Sequence, residues 1–328
     1  MTSTPETGIR NTSAHRQLSA ALVDSSRHGR CFQTRDRNTA RNLQRAAKRG
    51  NIIRPLPGIY AYDEHWEEID ARDRVLECLR ALAQKHPNWI FAGPSAAIAQ
   101  GLSVSYRDAE HVYIAADTTS RSSWLSRLYV TDDIPVYANG VRVTSLVRTA
   151  YDCMRMLGFR RGLAVTDSVL RTSGMQLEEL SEDIERRFRG CKGIGKARGI
   201  LPWADARSAN GGESMARAAM IELGYEVPDL QYEIVEPIDR QRYFADYYWE
   251  IGPNHAVAGE LDGKEKYENM DMTGGRDALA VMTDERLRES RISARVVQVM
   301  RFSYRDSQDD QRFVSILDAF GIPKRPQE

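Results

Sequence analysis

The 328-residue chain lacks net charge: 46 Lys and Arg balance 46 Asp and Glu. Bulk charge therefore points to no polyanionic partner, and only its distribution along the chain can do so. The four cysteines, Cys31, Cys78, Cys153 and Cys191, form no CxxC pair. That excludes a cysteine zinc site of the usual spacing and any disulfide framework, and the expectation is buried or idle reduced thiols. The six histidines are scattered, with no pair at metal-ligand spacing. No stretch approaches the ~20 apolar residues of a membrane-crossing helix. Residues 1–11 carry no apolar signal core, so a cytoplasmic protein with no membrane partner is expected. There is no Walker loop, no GxSxG, no nucleotide-binding glycine pattern, no internal repeat and no low-complexity linker.

What is present reads as an α/β (α+β) multidomain chain, in four stretches: a polar tail (1–12) expected to be disordered, an N-terminal unit (13–64), a mixed α/β connector (65–207) and a C-terminal unit (208–328). Charge is strongly segregated. Residues 1–60 hold eleven Lys and Arg against three acids. A helical pattern runs from Ala14 to about Val23, and Thr34 to Arg37 reads as a short helical turn or loop. A third helix starts at Asn38 or Thr39 and stops at Gly50. In this last helix Ala40, Leu43 and Ala47 share one face, while Arg41, Gln44, Arg45 and Lys48 share the other. Ile52–Arg54 and Ile59–Ala61 then read as strands around Pro55-Leu-Pro-Gly58. Helices followed by a two-stranded wing give the winged helix-turn-helix order. Arg35, Arg37, Arg41, Gln44, Arg45, Lys48, Arg49 and Arg54 are its candidate contacts to double-stranded DNA.

In the connector, Trp66 to His86 reads as one long helix and Ser95 to Gln100 as a short one. Strands are expected around Val112–Ile114, Leu128–Val130 and Ile134–Tyr137, and helices over Ser145–Leu157, Arg160–Arg171 and Leu177–Arg189. Gly193-Ile-Gly195 reads as a helix boundary. The C-terminal unit has an α-β-β-β-α-β order: helix Gly212–Leu223, strands Leu230–Val235, Tyr243–Trp249 and His255–Leu261, helix Gly274–Ser290 and strand Val296–Met300, before a last helix Phe313–Phe320.

Within that order, acids fall where acids are costly. Asp246 sits mid-strand among aromatics, an expensive place for a carboxylate unless it is paired or metal-bound. Glu260 and Asp262 are two apart at the next strand's end and project to one side. Glu213 opens the preceding helix, and Lys264 and Lys266 follow the strand. Converging carboxylates with a nearby cation suit a hard ion, Mg²⁺ or Mn²⁺, working on a phosphodiester. His255 is a weak candidate for the edge of the same site.

Glu213-Ser-Met-Ala-Arg217, Asp246, Glu260-Leu-Asp262-Gly263, Lys266-Tyr267 and Glu285-x-x-Arg288 together resemble the PD-(D/E)xK nuclease superfamily, in its very-short-patch-repair-like endonuclease branch. The resemblance implies a restriction-endonuclease-like core in which Asp246 and Glu260 hold metal, Glu213 orients a ligand or the attacking water, and Lys264 or Lys266 steadies the phosphate; Asp262, by its place beside Glu260, is the third candidate metal ligand. One departure is plain: Asp262 stands where the motif wants lysine. The basic helix, the wing, Gly93-Pro-Ser95-Ala-Ala97 through Gly101-Leu and Val143-Thr-Ser145 through Asp152 resemble AbiEi-like antitoxins of type IV toxin–antitoxin systems. That second resemblance implies promoter binding and a place in phage defence, and leaves room for a toxin protein and a homodimer as partners. A metal-dependent DNA endonuclease and a non-cutting antitoxin or repressor are thus the competing expectations.

Overall fold

The computed structural model describes residues 13–50, 52–105, 108, 111–236, 238–253, 255–262 and 297–326. It is a mixed α/β chain with several small sheets. It divides into two compact units rather than the three folded stretches expected. One is Met1–Gly101 with Ser105–Thr149; the other is Leu102–Val104 with Ala150–Glu328. The tail 1–12, Lys264, Lys266, Glu285, Arg288 and the expected helix Gly274–Ser290 lie outside the described residues.

The first unit opens with α1 (Ser13–Arg27), β1 (Phe32–Gln33), α2 (Arg37–Lys48), β2 (Ile53–Leu56) and β3 (Ile59–Ala61), with strand order β1-β3-β2. Two helices stand here, and of the two readings of Thr34–Arg37 the loop holds over Thr34–Asp36, where Asp36 is extended and caps the next helix. Asp36, not Asn38 or Thr39, is the N-cap of α2; its carboxylate accepts the Thr39 N–H at 2.6 Å. Gly50 follows the helix at φ +78°, as a glycine past a C-terminus should. Leu43 is fully buried against Leu22, Ile52 and Tyr60. The expected long helix from Trp66 is broken. α3 (Asp63–Glu68) ends at Ile69, and Asp70 caps a new helix, α4 (Ala71–Lys85), by accepting the Asp73 N–H at 2.8 Å. Then come α5 (Gly93–Ala99), β4 (Val112–Ala116), β5 (Ser120–Arg121), β6 (Leu125–Tyr129) and the hairpin β7 (Val136–Ala138)–β8 (Val141–Val143). The hairpin turn, Asn139-Gly140, has φ +46° and +84°, the left-handed pair that a two-residue turn requires.

The boundary between units falls inside α6 (Leu146–Leu157). The second unit continues with α7 (Phe159–Ser173), α8 (Leu177–Phe188), α9 (Ile194–Ile200), α10 (Gly211–Glu222), β9 (Asp229–Val235), β10 (Arg242–Gly252), β11 (His255–Asp262), β12 (Val297–Ser303), α11 (Tyr304–Gln308) and α12 (Asp310–Ala319). Gly193 begins α9 as its cap. The four-stranded sheet has the order β12-β11-β10-β9, with β11–β12 parallel and the other pairs antiparallel. Ala216, Ala219 and Met220 of α10 and Phe313 and Leu317 of α12 bury one apolar cluster with Tyr247, Trp249, Val257, Met300 and Phe302. The alanines let the helix approach closely, and Gly259 lets the sheet fill beneath it. A Cβ at Gly259 would lie 3.0 Å from the Trp249 ring and 3.1 Å from Tyr247 Cβ.

Candidate functional site

The strand alternation of β10 breaks at Asp246. Tyr243 and Ala245 belong to one apolar cluster and Tyr247 and Trp249 to the other, while Tyr248 packs back against the first. On β9 the facing residue, Gln231, takes a left-handed φ of +50°. Pairs Ala245↔Tyr232 and Tyr247↔Leu230 flank this point. A non-glycine residue held there is strained by about 1–3 kcal/mol, a strain characteristic of built sites. β10 and β11 also part company here: their pairing runs from Gly252↔His255 to Tyr247↔Gly259. Beyond it, the Asp246 carboxylate replaces a ladder acceptor by taking the Leu261 N–H at 3.0 Å. An acid at the opening between two strands is thereby fixed by backbone rather than left to rotate.

Two more carboxyl groups meet it. Glu213 lies in the first turn of α10, 6% exposed. Asn210 caps that helix by accepting the Glu213 N–H at 3.0 Å, and Glu213 answers by accepting Asn210 Nδ2 and Ala209 N–H, each at 2.7 Å. The Gln231 amide reaches both Glu213 Oε2 (3.4 Å) and Asp246 Oδ1 (3.5 Å). The Glu260 carboxylate accepts from the Tyr243 side chain and the Asp246 backbone, while its Oε1 is buried without a hydrogen-bond partner. Glu260 thus lies close enough to Asp246 to accept from its backbone and to feel its charge.

Burial pushes the Glu213 carboxyl up to about 7, with Asp246 repulsion second, against the Ala209 N–H, Arg171 and Gln231. Burial pushes Glu260 up to about 7 as well, again with Asp246 second, against Tyr243, the Asp246 backbone and Arg301. Glu213 and Glu260, raised first by burial and then by the Asp246 charge, mark a site short of positive charge. Tyr247 closes its floor, donating its hydroxyl to the Glu213 carbonyl at 2.9 Å.

Asp262 does not join them. Its carboxylate takes Arg301 Nη1 at 3.2 Å, both side chains being partly exposed. Among the described residues no group of three or more His, Cys, Asp or Glu is arranged to hold a metal ion. Asp262, expected as a third ligand, pairs with Arg301, while Gln231 bridges Glu213 and Asp246 beside Glu260. The donor chemistry fits a hard cation at Asp246 and Glu260, because Glu260 Oε1 is a buried carboxyl oxygen without a hydrogen-bond partner. His255 stands at the opposite end of β11, five residues from Glu260, and takes no part. Gln231 is the residue that sequence reasoning missed, and for Arg301 it foresaw no partner. Its place could have been found by pairing β12 with β11 in parallel, which sets it beside Glu260.

On α2, Arg37, Arg41, Gln44, Arg45 and Lys48 are exposed, as are Arg35 before it, Arg49 at its C-cap and Arg54 on β2. No acid pairs with Arg41, Arg45, Lys48 or Arg54 among the described residues. Arg35 instead donates to the Lys85 carbonyl at 3.1 Å. Of the cysteines, Cys31, Cys78 and Cys153 are buried and Cys191 is exposed, and none of them forms a disulfide. No described helix is long and apolar enough to cross a membrane.

No family model matches the chain, and no solved structure matches it. Two curated proteins of Mycobacterium tuberculosis, from strains CDC 1551 / Oshkosh and H37Rv and both named as uncharacterized, are each 31% identical to it over 173 residues. The matched region is 49% of this chain and 62% of each relative, so the chain spans less than two thirds of the length of the proteins it is similar to.

Proposed function

We propose that the second unit is a Mg²⁺- or Mn²⁺-dependent endonuclease-like domain and that the protein binds double-stranded DNA through the basic face of α2, in a bacterial defence or toxin–antitoxin setting. The observation that carries the reading is the meeting of Glu213, Asp246 and Glu260 where β10 and β11 separate, with a buried Glu260 oxygen left unpartnered. Asp246 and Glu260 would hold the ion. When bound, it supplies Lewis-acid charge and lowers the pKa of a water. Glu213, poised near neutrality and tied to Asp246 through Gln231, can take a proton from that side of the site or return it. Arg301, steered by Asp262, brings positive charge to the Glu260 side, where the superfamily motif would place a lysine. Lys264 and Lys266 keep their proposed role toward phosphate from outside the described residues.

A second reading is favoured by one feature: Asp262 occupies the lysine position and spends its charge on Arg301. In that reading the domain binds without cutting, and the protein is a type IV antitoxin or transcriptional repressor, with a toxin or a second copy as partner. Plasmid nicking with Mg²⁺ or Mn²⁺ separates the two. Wild type should cut, and Asp246→Ala and Glu260→Ala should fall to the level of a reaction without protein. Equal residual cutting in wild type and both variants removes the enzyme and leaves the repressor.

A further inference from the structure

A cleft of about 540 Å³ in the first unit is lined by the turn after α1, by α4 and the segment following it, and by the β7–β8 hairpin. Arg30, Arg80, Arg142, His28, Trp89 and Tyr137 line it, and among the described residues no Asp or Glu does. Arg80 is built into the fold. It donates Nη1 to the Gly29 carbonyl at 2.8 Å and Nε to the Asn139 carbonyl at 3.0 Å. Gly29 sits at φ +58°, and a Cβ there would come within 3.1 Å of that guanidinium. Both acceptors are neutral, so the Arg80 charge is held in place without being cancelled.

Arg30 and Arg142 are half-buried, and neither pairs with a carboxylate among the described residues. Half-buried arginines are ordinarily paired, because desolvating a cation without a counter-charge is costly. Of the lining residues, His28 forms an ion pair: its Nδ1 lies 2.7 Å from the Asp24 carbonyl and 3.5 Å from the Asp24 carboxylate, which does not line the cleft. Three guanidinium groups in one concavity focus a positive field, and their planar forks match phosphate oxygens.

The same walls carry ring surface. Tyr137 is the cross-strand partner of Arg142, so the two side chains share a face of the hairpin, and Tyr137 is 77% exposed. Trp89 stacks on His86 with ring centroids 4.0 Å apart and is only partly buried. Broad aromatic faces beside unpaired arginines suit a ligand that is anionic at one end and flat at the other. The volume is that of a small-molecule site.

We propose that this cleft binds a nucleoside phosphate, with phosphate on Arg30 and Arg142, Arg80 as the fixed charge beneath, and the base against Tyr137 and Trp89. The ligand chemistry has two sources, a free mononucleotide or an unpaired nucleotide at the end of a strand, and neither depends on the carboxylate site of the other unit.

The test is titration of the full chain with AMP, with a 5′-phosphorylated single-stranded oligo(dA) and with inorganic phosphate, followed by tryptophan fluorescence. Trp89→Phe assigns the signal, and circular dichroism checks the fold of each variant. Saturable AMP binding is expected, weakened about tenfold or more in Arg30→Ala and in Arg142→Ala, and severalfold in Tyr137→Ala. Binding of the oligonucleotide alone, lost in the same arginine variants, supports the site and names a strand as the source. Inorganic phosphate binding as tightly as AMP overturns the nucleoside assignment. No binding of either nucleotide probe, or unchanged affinity in both arginine variants, overturns the proposal.

Discussion

Glu213 and Glu260 do their work by being misplaced. Each is a carboxyl whose folded pKa, about 7, stands above its ordinary value of 4.5, chiefly through burial and then through Asp246. The folded state therefore binds more protons than the unfolded state between those values. The stability these groups contribute is complete below pH 4.5 and is lost as the pH rises through 7. Thermal melts without divalent ions should show the midpoint falling from pH 5 to pH 8. Glu260→Gln and Glu213→Gln should each flatten that fall and melt higher than wild type at pH 8. If Asp246 and Glu260 hold a cation, Mg²⁺ should raise the wild-type midpoint at pH 8 more than at pH 5, because at pH 5 protons already occupy its place. A wild-type midpoint that rises steadily to pH 8 without metal would contradict the charge shortage assigned to this cluster.

Elements place these residues, and α10 is the clearest case. Four residues after Glu213 on the same helix, Arg217 is buried and donates Nη2 to Asp167 of α7 at 2.8 Å and Nη1 to the Trp203 carbonyl at 2.7 Å. Asp167 is fully buried and also accepts the Asp205 N–H at 2.8 Å. Removing one partner strands the other charge, so Arg217→Ala should cost about 3–5 kcal/mol in denaturant unfolding, while Asp167→Leu with Arg217→Met should recover most of it. A loss below about 1 kcal/mol in the single variant would mean that α10 is oriented by its alanine packing alone. The helix itself was readable beforehand from its apolar spacing, though not its Asn210 cap, and so were β9 to β12 from their aromatic and branched runs. Two kinds of element were not. The break at Ile69–Asp70 depends on a cap competing with an otherwise continuous helical pattern, and β1, β5 and β8 are too short to carry any periodicity. The site followed the same rule. Acids that had to be buried announced themselves by type and spacing, but the direction in which Asp262 turned depended on Arg301, which is 39 residues away in sequence.

Across the whole chain, zero net charge hides a division of labour that only position reveals. Excess Lys and Arg gather before residue 60, and the converging carboxyls lie after residue 210. A chain that exposed its charge evenly would have weak, diffuse attraction to DNA. One that concentrates unpaired cations on a single helix face can release counterions at that face, and each phosphate contact made there then has a measurable signature. Log affinity for duplex should fall linearly with log salt, losing about 0.9 of slope for every contact removed. Arg41 and Arg45 are exposed, unpaired with acids and clear of the Leu43 core, so their replacement should leave the fold intact. The prediction is that Arg41→Ala with Arg45→Ala weakens duplex binding at low salt, lowers the salt slope by about 2 if both side chains meet phosphates, and leaves the melting temperature unchanged. The same affinity and slope as wild type across several salt concentrations would remove α2 as the DNA-binding element, and with it the common premise of the cutting and the non-cutting readings.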